Sequence, residues 1–379
     1  MASPLNLERG FLPSPDPLQT LPPDFVAWEA LATQLPKLLV SGQFREHLHR
    51  LPAFPWEKLT FSAELERAML LLSFLGHAYV WGCQPLVTQI PALLARPWCT
   101  LANKLGRPPV LSYASYALHN WFRINPQRPI ELSNIALLQN FLGGVDEEWF
   151  VLVHVDIEAK AGQALQALLP AQQAAQNKQA QLLLAYLGEI IQGLKNMCNT
   201  LDRMPERCDP YIYFNRVRPY IHAWKNNPAL PQGMIYEGCF NNQPQFFRGE
   251  TGAQSSIIPC LDACFGISHH EDDLSIYLKE MRLYMPPEHR AFLETLEAQP
   301  SIRSYIQEHY TELSELRELY NQGIDLMVRF RMTHLKYAAS YIHKQSQQAS
   351  TNPNAVGTGG TPFMTYLAKH EKESEGFKI

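Results

Sequence analysis

No stretch of this 379-residue chain is apolar for long enough to span a bilayer. The most apolar run, residues 68–81, is short and contains Gly76 and His77. Charge is scarce too. Asp, Glu, Lys and Arg make up 18% of the residues, and the net charge of −4 comes without a basic block, so there is no electrostatic footprint for nucleic acid. The first 24 residues carry no secretory pattern, because they are proline-rich and lack an apolar core. There is no G-x-S-x-G elbow, no H-E-x-x-H pair and no G-x-G-x-x-G after a strand, which removes the commonest hydrolase, zinc-protease and dinucleotide signatures. The 7 cysteines are odd in number and irregularly spaced, which fits free thiols in a cytoplasm rather than a disulfide framework. Cys260 and Cys264 stand one helical turn apart, but no second pair completes a zinc site, so they read as core thiols. His269 and His270 are adjacent, hence about 100° apart on a helix, and read as surface histidines.

What the chain does have is helical periodicity. Hydrophobic residues make up 46% of it, and strand alternation is rare. Helices are expected over residues 25–39, 63–80, 91–105, 111–122, 146–169, 174–201, 210–224, 255–267, 272–284, 287–297, 301–309 and 313–341. The long stretch 226–252, rich in Gly, Pro and Asn, reads as a loop too long to be a mere connection. Pro126, Pro129, Gly143 and Gly144 mark the best domain boundary. The expectation is an all-α protein with a small N-terminal domain (1–142) and a larger helical domain (143–379), without internal repeats.

Four segments could carry chemistry. In the last long helix the apolar stripe of Leu316, Tyr320, Ile324, Met327, Ala338 and Tyr341 also carries His334, with Arg331 one turn before it. A neutral imidazole facing an apolar space can ligate a metal and is the usual proximal ligand of haem iron; the arginine could pair with a carboxylate such as a propionate. A core histidine bonded to backbone is the plain alternative. Phe150, His154 and Glu158 share one helix face and could hold a flat heterocycle, or simply pack with His154 solvated. Phe214 and Arg218 stack at the same spacing, which suits a substrate with a carboxylate and a planar side chain; an internal salt bridge is the ordinary alternative. Gly357 to Thr361 permits close backbone approach to a ligand, yet lacks the lysine of a phosphate loop, and a linker explains it equally.

Over residues 107–363 the chain resembles the indoleamine 2,3-dioxygenase family. The resemblance is carried by Arg107-Pro108-Pro109-Val110-Leu111-Ser112-Tyr113-Ala114, Tyr220-Ile221-His222-Ala223-Trp224-Lys225-Asn226-Asn227-Pro228, Ile235-Tyr236-Glu237-Gly238, Gly252-Ala253-Gln254-Ser255-Ser256, the stretch from Met281 to Arg290 and the loop at Gly357. The first hundred residues match more loosely. The resemblance implies haem b held by His334, with Arg331, paired with the carboxylate of its neighbour Asp262, supporting it on that side. It implies a substrate pocket of Tyr113, Phe150, Tyr213, Phe214 and Arg218, with Arg218 reading the substrate carboxylate. Gly252 would pass close to substrate and haem, and Thr358 would belong to a closing loop. The implied reaction is cleavage of the indole C2–C3 bond of L-tryptophan by O₂ to give N-formylkynurenine.

Two positions depart from the family's mammalian pattern. His154 stands where a small hydroxyl residue is usual, although the related tryptophan 2,3-dioxygenases use a distal histidine; Tyr213 replaces an aromatic without a hydroxyl. Both leave open a different indole or aromatic substrate, and a non-catalytic haem or indole sensor is a third reading. Membrane and nucleic acid are not expected partners. The oligomeric state is not legible, a monomer being the favoured reading.

Overall fold

The computed structural model describes residues 5–268, 273–309, 314–348 and 373–379. Three short helices, α1 (Val26–Thr33), α2 (Leu35–Ser41) and α3 (Phe44–His49), lead to α4 (Ser62–Trp81) and α5 (Ala92–Lys104). The single helix expected over 25–39 is broken at Gln34, because Pro36 can sit only in the first turn of a new helix. Every residue of α4 from Glu66 to Val80 is buried, so α4 has no polar face and forms the centre of this half, with α1, α3 and α5 packed around it. The Glu64 carboxylate accepts the N–H groups of Thr60 and Phe61, satisfying donors that the start of α4 leaves over.

The helix expected over 111–122 is instead a π-helical turn, Ala114–Leu118, followed by β2 (Trp121–Arg123), which pairs antiparallel with β3 (Ile135–Leu137). A short apolar run reads alike as helix or strand. The Asn134 side chain decides here, clamping the Asn125 and Pro129 carbonyls and closing the hairpin. The other sheet joins β1 (Gln89–Ile90) in parallel to β4 (Ile235–Tyr236). It pins the long 226–252 segment to the N-terminal half.

The larger bundle is organised by α6 (Val145–Gln176), which runs through Pro170 beyond its expected end, and by α7 (Ala180–Leu201), which returns along it after a turn with Lys178 at φ 56°. A Cβ on Gly193 would lie 2.7 Å from the Ala164 Cβ, so the glycine is what lets these two helices approach so closely. Short α8 (Pro210–Ile212) and α9 (Arg218–Ile221) flank a second π-helical turn, Tyr213–Val217. Next come α10 (Ile257–Phe265), α11 (Asp273–Met281), α12 (Pro287–Glu297) and α13 (Ile302–Glu308). The long α14 (Ser314–Tyr337) packs on α7 and continues into a third π-helical turn, Ala338–His343, before α15 (Lys344–Gln348). One apolar core runs through residues on both sides of position 142. No helix among the described residues is long and apolar enough to cross a membrane.

Candidate active site

The stripe on α14 forms as its spacing demands. Leu316, Tyr320, Ile324 and Met327 are buried, and so is Arg331. His334 differs. Its side chain is exposed, yet protein surrounds it closely enough that desolvation takes its pKa down to about 4. That desolvation leaves the imidazole neutral at physiological pH. The electrostatic influence of His154 lowers it further, which puts the two histidines in reach of one another.

Arg331 turns the other way. Its Nη2 reaches both Asp262 oxygens at 2.7 Å and its Nη1 donates to Ser374 Oγ at 2.5 Å. This buried fork fixes α14 against α10, and it is the pairing with Asp262 that the resemblance implies for Arg331.

On the opposite side, His154 Nδ1 lies 2.7 Å from the Phe150 carbonyl oxygen. A carbonyl only accepts, so Nδ1 carries the proton and Nε2 presents a lone pair. Burial lowers this imidazole's pKa as well. The Phe150 ring sits 4.8 Å from the His154 ring and 4.6 Å from Tyr213, and the Tyr113 ring stands edge-on to His154 at 6.0 Å. Tyr113, Tyr213 and Phe214 are buried, whereas Phe150 and His154 keep part of their surface accessible. Arg218 is wholly buried, with its guanidinium 5.3 Å from the centre of the Phe214 ring. Desolvation lowers its pKa to about 10, which still leaves it cationic. The stack expected from the spacing of Phe214 and Arg218 therefore forms, although the intervening turn is π-helical.

Gly252 opens a short turn capped by Thr251; it is exposed, and a Cβ there would meet no described atom within 4 Å. Thr358, the glycine-rich loop around it and the His269-His270 pair lie outside the described residues. Cys260 and Cys264 are buried thiols. An open cavity of about 410 Å³, lined by Asp146, Arg207, Cys208, Tyr337 and Tyr341 among others, adjoins the site through the contact of Tyr341 with Tyr213.

Of the supporting shell, spacing alone marked Glu158, on the face of Phe150 and His154. Gln254 Oε1 accepts the Tyr113 N–H at 2.9 Å, and Glu158 Oε1 accepts hydrogen bonds from Tyr113 and Ser255. Glu250 is a buried carboxyl raised to about 8 by desolvation, and its charge raises the hydroxyl pKa values of Tyr113, Tyr116 and Tyr213. A single glutamate in a glycine-rich loop was the only available signal for Glu250. Nothing local marked Gln254 or Tyr116.

Comparison with known proteins places the whole chain in one family. The family model described as indoleamine 2,3-dioxygenase matches residues 4–376, so the N-terminal region that resembles the family only loosely by eye is part of the match. Indoleamine 2,3-dioxygenase 1 of Rattus norvegicus is 36% identical, over 93% of this chain and 89% of that protein. Indoleamine 2,3-dioxygenase 2 of Homo sapiens is 32% identical, over 96% and 91%. A 6-hydroxytryptophan 2,3-dioxygenase of Fusarium equiseti is 31% identical, over 96% and 94%. With the match running almost from end to end, the chain belongs to the indoleamine 2,3-dioxygenase family.

Proposed function

We propose that this dioxygenase holds haem b through His334 and cleaves the indole C2–C3 bond of L-tryptophan, or of a close indole analogue, with O₂. The observation that carries the reading is the pair of desolvated histidines, His334 and His154, each with its pKa lowered by burial and near enough for the charge of His154 to act on His334. The residues fit the cofactor. An accessible neutral imidazole is the donor that haem iron takes, and the buried Arg331–Asp262 fork behind it holds the ligand helix in place. When bound, the haem supplies the oxygen chemistry.

The chain's own residues bind, orient and exclude water. Arg218 takes the substrate carboxylate, its guanidinium stacked on Phe214. Phe150 and Tyr213 hold the ring, and Tyr113 closes the side next to His154. His154 Nε2, left as the acceptor nitrogen when Nδ1–H donates to the Phe150 carbonyl, accepts the indole N–H. Gly252 and Thr358 complete the substrate side in this reading. No strong general base is needed, and orientation is the protein's main contribution.

The test is the absorption spectrum of purified protein with and without L-tryptophan, before and after reduction, with N-formylkynurenine as the product assayed. A haem spectrum that responds to tryptophan without product would favour the sensor reading. One observation favours a ring-substituted substrate. The Tyr116 hydroxyl is buried without a hydrogen-bond partner among the described residues and lies in the field of Glu250. The Tyr116 ring lies 6.3 Å from that of Phe150, and a polar group on the benzo ring is the substrate feature such a hydroxyl would pair with; the ratio of kcat/KM for 6-hydroxytryptophan over tryptophan decides between the two. The seven free thiols suit a reducing compartment such as the cytoplasm.

A further inference from the structure

Glu158 lies one turn beyond His154 on the same face of α6 and is wholly buried. Its Oε1 accepts from Tyr113 Oη at 3.0 Å and from Ser255 Oγ at 2.8 Å, and the Phe11 peptide N–H approaches the same carboxyl. These three donors come from three separate segments. Tyr113 precedes the first π-helical turn, Ser255 ends the 249–256 loop, and Phe11 belongs to the N-terminal segment that lies flat on α6. At that crossing Gly10 has φ +66°, and a Cβ there would come within 1.9 Å of the Glu158 carbonyl oxygen. Burial raises the Glu158 carboxyl to about 7 even though all three donors pull the other way.

A buried acid is a costly way to fill space, and a leucine would pack there without needing any donor. What the acid adds is a single acceptor shared by two hydroxyls, one on each of two segments that border the pocket. Tyr113 is held at both ends, its N–H by Gln254 and its hydroxyl by Glu158, with its ring edge-on to His154. The 249–256 loop is held by the same two groups. Gln254 bonds back to the Gly249 carbonyl at 2.9 Å, and Ser255 reaches Glu158.

We propose that Glu158 is a positioning residue for substrate, which through Oε1 fixes the Tyr113 ring and the 249–256 loop relative to His154 and so sets the width of the indole pocket. The inference rests on the reading that Tyr113 and His154 border the substrate.

The test measures kcat and KM for L-tryptophan in the holoenzyme, alongside calorimetric binding of L-tryptophan. Glu158→Leu, which keeps bulk and removes the acceptor, should raise KM about tenfold or more with a smaller change in kcat. Glu158→Gln keeps an acceptor oxygen and should stay within about twofold of wild type. Tyr113→Phe removes the donor of the same bond, so the Glu158→Leu/Tyr113→Phe double variant should lose less than the product of the two single losses. Should Glu158→Leu fail to fold, Tyr113→Phe and Ser255→Ala interrogate the same two bonds from the donor side, and each should raise KM. Unchanged KM in these variants overturns the proposal, as does failure of Gln to restore it or full additivity with Tyr113→Phe. If wild type turns over tryptophan while the variants keep its KM, only the positioning role falls; if wild type neither binds nor turns over tryptophan, both readings fall together.

Discussion

His334 and His154 are both neutral, desolvated imidazoles, but the walls that carry them are built differently. The His334 wall is one regular helix, α14, with a buried stripe and a single buried ion pair, Arg331–Asp262, fixing its rotation. The His154 wall is assembled from α6, the π-helical turns at Ala114–Leu118 and Tyr213–Val217, and the 249–256 loop, joined by side-chain hydrogen bonds rather than by a common helix. A π-turn inserts a residue and swings the side chains after it, a device found often at functional sites. The difference separates two tasks. A cofactor ligand needs one nitrogen held rigidly, which a helix supplies. A substrate pocket needs several groups aimed inward from different directions, and irregular backbone supplies that.

The comparison predicts unequal responses to substitution. The largest is expected at His334: His334→Ala should purify with little or no haem and without dioxygenase activity, and a variant that keeps full haem and an unchanged ferrous spectrum would refute the ligand assignment. Asp262→Ala comes next. It leaves Arg331 a buried cation without its carboxylate, which costs about 3–5 kcal/mol of stability, measurable by denaturant unfolding of the holoprotein, with haem retention reduced but not abolished. Arg218→Ala acts on the other wall alone. Loss of a charge-assisted bond worth about 1.5–3 kcal/mol should raise KM for tryptophan roughly ten- to a hundredfold and leave haem content intact. Indole, which has no carboxylate, should bind as before. Equal losses for both ligands would mean general pocket damage instead of carboxylate recognition.

The two walls were also unequally legible in the sequence. Periodicity gave α14 and its buried face, because a single regular helix is a local property of the chain, but His334, expected on that face, is exposed. Local spacing also found Phe150 with His154 and Phe214 with Arg218. What it could not supply was neighbourhood. Arg331 pairs with Asp262, nearly seventy positions earlier, a partner that the family resemblance named and spacing could not, and with Ser374 near the C-terminus. The run 111–122 became a π-turn and a strand because Asn134 closes a hairpin twelve residues further on. Gln254 and Glu250 acquire their roles only when distant segments meet, so spacing did not announce them; Glu158 was legible on the face of Phe150 and His154, but its partners Tyr113 and Ser255 were not. The breaks in α1–α2 follow from Pro36 and could have been read; the π-turns could not, since an inserted residue leaves apolar spacing nearly unchanged.

The smallest expected effect is the most specific, and it concerns His154. Its Nδ1–H is donated to the Phe150 carbonyl, so the neutral ring has one lone pair, on Nε2, to accept the indole N–H. Protonation fills that lone pair and abolishes the acceptor. Burial lowers the pKa below its ordinary value of about 6.5, so the neutral form persists further into acid than for an exposed histidine. Activity should therefore hold through pH 6.5 and decline only below it. Glu158, at about 7, and Glu250, at about 8, titrate in the same experiment and would distort a single profile. The ratio of kcat/KM for wild type over His154→Ser removes what the two proteins share. A serine hydroxyl can accept the N–H but does not titrate, so the ratio should exceed one at neutral pH and fall as the pH drops through the His154 pKa. 1-Methyltryptophan, which lacks the N–H, supplies the second arm: wild type should discriminate against it more than His154→Ser does. A ratio that is flat with pH, together with equal discrimination, would leave His154 as a wall of the pocket and return the orientation of the indole to Phe150 and Tyr213.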